Sequence, residues 1–219
     1  MTFHALLSDL DGTLADTEPI HANTWIEVLA GHGLQFDHNW FQQWVGTSDY
    51  YLAKQVIERH GLNIDVKALQ VEKRDLFHQR VVEEGRLFPG VLAAMSQINM
   101  AVPVAIVTNS GRLDADHIFK ATQIDEYAQL SITADDVEQM KPDPEGYQLA
   151  ANMMGMLPEH CVAIEDSKAG SEAAKAAGCY VLGIDHGQVG NQLQAHEVFP
   201  TPVSAFQRAM EVLGVVVPS

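Results

Sequence analysis

Phe3-His4-Ala5-Leu6-Leu7-Ser8 runs directly into Asp9-Leu10-Asp11-Gly12-Thr13, and the architecture follows from that junction. A short apolar run stopped by acidic residues and glycine predicts a buried parallel strand that ends in a turn. Carboxylates at i and i+2 would share one face of a continuing strand, but a turn lets one point at a ligand while the other swings beside it. Gly12 removes the steric obstacle to such a turn. An isolated Asp-x-Asp-Gly is as readily a plain turn, in which Asp and Gly serve only local backbone preferences. Its place after the first strand gives it weight.

Working outward, Val102–Thr108, Leu130–Thr133, Cys161–Ile164 and Tyr180–Ile184 are further short apolar runs followed by polar or glycine-rich residues. Between them, Val91–Met100, Leu113–Thr122, Glu145–Met154 and Ser171–Ala177 carry apolar residues at three- and four-residue spacing, the period of an amphipathic helix. Alternating strands and helices predict an α/β fold with a doubly wound parallel sheet, whose ligands bind beyond the carboxyl ends of the strands.

The stretch from Asp16 to Arg86 separates the first two strands by far more than a crossover needs. It reads as a helical insertion, with Trp25, Ile26, Leu29, Leu52, Val56, Leu69, Phe77 and Val81 at helical spacing. The expected division is therefore an α/β core of residues 1–15 and 87–219 and a small α-helical cap of residues 16–86. Two short connections suit a lid on hinges. Trp25, Trp40 and Trp44 all fall in the insertion and are expected to form its core.

Three more polar groups follow strand ends: Thr108-Asn109-Ser110, Lys141-Pro142-Asp143-Pro144 and Glu165-Asp166-Ser167. Taken singly, each has a bland reading: a helix cap, a solvated lysine and a helix N-terminus. Their joint occurrence, in this order, is not accidental. Together with Asp9-Leu10-Asp11-Gly12-Thr13 they resemble the haloacid dehalogenase superfamily, in its phosphatase and phosphoglucomutase-like branch with a helical cap. The resemblance covers nearly the whole chain, more loosely in the cap.

That resemblance implies a magnesium-dependent phosphatase that forms an aspartyl-phosphate on Asp9. Asp11 would be the general acid and base, Lys141 would hold the nucleophile and a phosphate oxygen, and the Thr108 hydroxyl would donate to the remaining oxygens. Magnesium would lie on the Asp9 carboxylate, the Asp11 carbonyl and Asp166, with Glu165 a candidate for a further contact. Gly12, Asn109 and Ser110 join the substrate set from the core; His21, Gly46, Asp49 and Arg74 join it from the cap. Asp11 argues against dehalogenation, since a departing halide needs no proton. None of the cap lysines Lys54, Lys67 and Lys73 stands in the context of a carbon–phosphorus-cleaving relative. Phosphoglucomutase relatives place an arginine where Asp49 stands, which favours a singly phosphorylated sugar or polyol over a phosphomutase reaction. A mutase and a non-catalytic binding protein are the alternatives.

Thirteen basic against 29 acidic side chains give a net charge of −16, which disfavours nucleic acid and anionic membranes as partners. The expected partner is a small-molecule phosphate ester, for which a bound cation and Lys141 supply the local positive charge. Cys161 and Cys179, without metal-ligand spacing, read as buried thiols of a reducing compartment. Met1–Gly12 lacks the basic start and long apolar run of a signal-like leader, and the sequence shows no apolar stretch of about 18 residues, so neither a leader nor a membrane span is expected. A cytoplasmic monomer or weak homo-oligomer is expected.

Overall fold

The computed structural model describes residues 2–44, 47–186 and 192–215. The chain divides into two compact units, Met1–Asp16 with Arg86–Ser219, and Thr17–Gly85. No helix among the described residues is long and apolar enough to cross a membrane.

The larger unit is built on six parallel strands: β1 (Ala5–Ser8), β2 (Val104–Val107), β3 (Leu130–Ile132), β4 (Cys161–Glu165), β5 (Tyr180–Ile184) and β6 (Glu197–Phe199). Their spatial order is β3-β2-β1-β4-β5-β6. β1 is central, with Leu6 opposite Val104 on one side and Val162 on the other, and every residue of it is buried. That is why its sequence runs apolar without alternation. Strand order reverses between β1 and β4, and the crevice beyond their carboxyl ends is where open α/β sheets place ligands.

Helices fill the crossovers. In chain order these are α5 (Val91–Ala101), α6 (Arg112–Thr122), α7 (Glu145–Met153) and α8 (Lys168–Ala177), after four helices of the smaller unit, and α9 (Pro202–Leu213) follows the last strand. On one face, Ala150 and Ala151 of α7 and Ala173 and Ala174 of α8 pack on Leu7, Ala105, Val107, Ala163 and Val181, the small helix residues allowing close approach to the sheet. The other face is covered by α9, which packs on β4 and β5 and against α5.

Sequence pattern and structure differ in several element bounds, β1 for instance starting at Ala5 rather than Phe3. β2 starts at Val104 rather than Val102, which closes α5, and Pro103 intervenes. α8 starts at Lys168 rather than Ser171, because the Ser167 hydroxyl caps it by accepting from the Gly170 N–H. β6 and α9 were not expected: an edge strand of three half-exposed residues carries too little apolar signal.

The smaller unit holds α1 (Glu18–Gly31), α2 (His38–Gln42), α3 (Asp49–His60) and α4 (Val66–Glu84). Trp25, Leu29, Phe41, Trp44, Leu52, Val56 and Leu69 make its core, and Trp40 packs at the edge against Phe36, ring centroids 3.9 Å apart. Ser48 and Asp65 cap α3 and α4, accepting backbone N–H bonds from Tyr51 and from Lys67 and Ala68. A unit with its own core and caps is locally self-consistent.

Candidate active site

Asp9 follows β1 directly, and its N–H donates to the Ile164 carbonyl of β4 at 3.0 Å, which fixes the residue at the sheet's switch point. The chain then doubles back: Gly12 N–H reaches the Ala15 carbonyl, and Leu14 and Ala15 N–H both reach the Leu10 carbonyl. Gly12 has φ +78°, a conformation that side chains resist. A Cβ there would also fall on the Asp166 carboxylate. Thr13 Oγ1 donates to Asp166 Oδ1 at 3.3 Å, and His186 Nε2 bonds the Gly12 carbonyl at 2.7 Å.

The turn sends the two carboxylates of Asp9-Leu10-Asp11 to different partners. Asp11 Oδ2 accepts from Ser110 Oγ at 2.7 Å and from Thr108 Oγ1 at 3.3 Å, at the end of β2. Asp9 Oδ1 accepts from Lys141 Nζ at 2.5 Å. Lys141 is not the solvated charge that its exposed neighbours suggest: its side chain is 6% exposed. The ammonium also donates to Glu165 Oε1 at 2.5 Å and the Val107 carbonyl at 2.8 Å, which employs all three of its protons. Asn109 holds the backbone of Lys141 with both ends of its amide, accepting from the Lys141 N–H and donating to the Lys141 carbonyl. Its side chain thus aims the lysine loop rather than standing open to a ligand.

Glu165, the last residue of β4, is fully buried. Besides Lys141, its Oε1 accepts from the Tyr147 hydroxyl at 2.6 Å, and its Oε2 accepts from Ser167 Oγ at 3.1 Å. Tyr147, Ser167 and His186 were not candidates on sequence. Tyr147 has the spacing of any core residue of α7, and nothing in the pattern marks its hydroxyl.

One oxygen from each of Asp9, Glu165 and Asp166 lies within 4.8 Å of the others. Burial first, then the charge of Glu165, push the Asp9 carboxyl up to about 8 against the opposing pull of Lys141. Asp166 is likewise raised, by burial and then by Asp9 and Glu165. Burial alone would lower the affinity of Lys141 for its proton, but Asp9 and Glu165 raise it above the usual lysine range. Three crowded carboxylates are thus matched by one ammonium, which bonds two of them, Asp9 and Glu165. A donor set of crowded, hard carboxylate oxygens with excess negative charge fits a divalent cation, so the cluster can hold one.

In the smaller unit, Lys73 of α4 is 3% exposed and donates to Asp49 Oδ2 at 2.7 Å and bonds His21 Nδ1 at 2.8 Å. Trp25 Nε1 donates to Asp49 Oδ1 at 2.9 Å, and His21 stacks on Phe77. Burial would raise Asp49, but Lys73 and then His21 hold it below the usual carboxylate range. His21 and Asp49 thus come together, but around Lys73 rather than Arg74. Arg74 is 46% exposed and pairs with Asp75. Gly46 lies outside the described residues.

The family model of the haloacid dehalogenase-like hydrolases matches residues 3–178. Among curated relatives, fructose-1-phosphate phosphatase YqaB of Escherichia coli is 32% identical over 80% of this chain and 93% of its own. Hexitol phosphatase A of the same organism is 32% identical over 84% of each. Among solved structures, a HAD family hydrolase of Deinococcus radiodurans, crystallised with phosphate and sodium, is 27% identical. It covers 99% of both chains with a TM-score of 0.80.

Proposed function

This chain belongs to the haloacid dehalogenase-like hydrolase family, and we propose that it is a magnesium-dependent phosphatase of a singly phosphorylated sugar or polyol. The observation that carries the reading is the divergence of Asp9 and Asp11, one on an ammonium and the other on two hydroxyls. That is the arrangement a nucleophile and a separate proton carrier need.

In this reading an Asp9 carboxylate oxygen attacks phosphorus as the ester oxygen departs with a proton from Asp11. Water, giving its proton to Asp11, then attacks the aspartyl-phosphate, and inorganic phosphate leaves. Lys141 offsets the charge gathered between Asp9 and the phosphoryl oxygens, and Ser110 and Thr108 hold Asp11 in reach of the leaving group. Asp9, Asp166 and the Asp11 carbonyl would hold magnesium, which when bound supplies charge neutralisation for the anionic ester.

The smaller unit serves as the cap that selects the ester. A mutase has to grip a second phosphate with a cation, whereas Lys73, buried among the described residues of this unit, is already offset by Asp49. Relatives that release phosphate from fructose 1-phosphate and hexitol phosphates, as their names state, support the same choice. The experiment is magnesium-dependent phosphate release across a panel of sugar and polyol monophosphates, beside beta-glucose 1-phosphate with a trace of its 1,6-bisphosphate. Release from a monophosphate is expected. Glucose 6-phosphate formation faster than any phosphate release would overturn the hydrolase reading.

A further inference from the structure

Tyr147 is wholly buried in the apolar cluster between α7 and the sheet, where phenylalanine would fill the same space with no polar group to satisfy. Its hydroxyl lies 2.6 Å from Glu165 Oε1, the same oxygen that receives Lys141. A hydrogen bond to a buried anion is among the stronger ones. The chain of contacts runs from Tyr147 to Glu165, from Glu165 to Lys141, and from Lys141 to Asp9.

We propose that Tyr147 is a positioning residue: its hydroxyl fixes the Glu165 carboxylate, and Glu165 fixes the direction in which the Lys141 ammonium meets Asp9. This rests on the phosphatase reading, because its consequence appears when Asp9 changes charge. Once Asp9 carries the phosphoryl group its own negative charge is gone, and Lys141 keeps only Glu165 and the Val107 carbonyl as fixed acceptors. A Glu165 carboxylate free to rotate would then let the ammonium drift from the phosphoryl oxygens. Tyr147 and Ser167, one on each carboxylate oxygen, prevent that rotation. Gly170 of α8 is part of the same seat, since a Cβ there would collide with the Glu165 carboxylate.

The test is a double-mutant cycle of Y147F, E165Q and the pair, assayed with fructose 1-phosphate and magnesium. Y147F is expected to lower kcat about tenfold, the scale of one hydrogen bond to a charged group, with KM unchanged. In the E165Q background the same change is expected to have almost no further effect, because the anion through which Tyr147 acts is gone. Equal losses in both backgrounds, a loss carried by KM, or wild-type kcat in Y147F would overturn the proposal. Two readouts do not need turnover. Calorimetric binding of trifluoroberyllate with magnesium is expected to weaken about tenfold in Y147F. Proton NMR of the wild type is expected to show a slowly exchanging downfield phenolic proton that both single variants lose. Absence of that proton in the wild type would refute the contact itself. A wild type that neither hydrolyses the ester nor binds trifluoroberyllate would instead defeat the phosphatase reading, with the phenolic proton still deciding whether Tyr147 holds Glu165.

Discussion

Asp9 and Asp11 sit one residue apart, yet their carboxylates answer to different neighbours, Lys141 for the first and Ser110 with Thr108 for the second. Replacing Asp9 by asparagine keeps the shape and removes the attacking oxygen's charge. Asp9→Asn is expected to lose more than about a thousandfold in kcat, with an unchanged circular dichroism spectrum. Phosphate release near the wild-type rate in purified D9N protein would rule out the nucleophile assignment. Residues of this kind were legible because each closes a strand: Asp9 after β1, Thr108 after β2, Asp166 after β4. Lys141 was legible as a residue type but not as a buried one, since Met140 and Pro142 beside it are exposed or nearly so. What lay beyond reading was pairing. No spacing in the chain announces that Tyr147 reaches Glu165, or that the Asn109 amide closes on the Lys141 backbone.

Among the elements, α8 shows how a helix can be shaped by the site rather than by its own propensity. Gly170 stands in its first turn, where alanine would ordinarily be favoured by roughly 0.5–1 kcal/mol. Here a Cβ would overlap the Glu165 carboxylate, and Glu165 has no room to yield, being held by Lys141, Tyr147 and Ser167. Gly31, the last residue of α1, has nothing within 4 Å of such a Cβ and no positive φ. Gly31→Ala is therefore expected to raise the unfolding free energy by about 0.5 kcal/mol. Gly170→Ala is expected to lower it by about 1–3 kcal/mol, as overpacking does, and to reduce kcat. Urea titrations of both variants check this, and a stabilised G170A protein would show that Glu165 is less tightly seated. The long α4 was readable from sequence through Leu69, Phe77 and Val81, which recur at helical spacing and are all buried. β6 was not, because three residues at a sheet edge derive their conformation from β5 beside them, through Leu182–Glu197 to Ile184–Phe199 pairing, rather than from their own pattern.

For the molecule as a whole, the alternation of strands and helices announced the doubly wound sheet. The excess length between β1 and β2 announced an insertion, and the structure divides the chain into two units at Thr17 and Gly85. The chain carries a net charge of −16, and among the described residues Asp9, Glu165 and Asp166 crowd their carboxylate oxygens within 4.8 Å of one another. This has a thermodynamic consequence for the whole fold. In chelator, the Asp9 carboxyl is raised from 3.8 to about 8 in the native state, and Asp166 is raised as well. Between those values the native state binds more protons than the unfolded state, so stability falls as pH rises. The contribution is complete below about pH 4 and is lost as pH climbs through about 8. Asp49, Asp136 and Glu197 are held low and act in the opposite sense, but only at pH below the ordinary carboxylate range. From pH 5 to 8, then, the melting temperature in EDTA is expected to decline. Magnesium stabilises the native protein by binding it and competes with the proton for the same oxygens, so the gain in melting temperature on adding it is expected to grow across that range. Asp9→Asn removes one of the two raised carboxyls, and should make the decline in EDTA shallower while shrinking the magnesium gain. Thermal unfolding of wild type and D9N at four pH values, with and without magnesium, measures all three effects. A chelated wild type whose melting temperature holds steady or rises from pH 5 to 8 would show that Lys141 alone suffices to keep Asp9 ionised, and the case for a cation there would have to rest on activity.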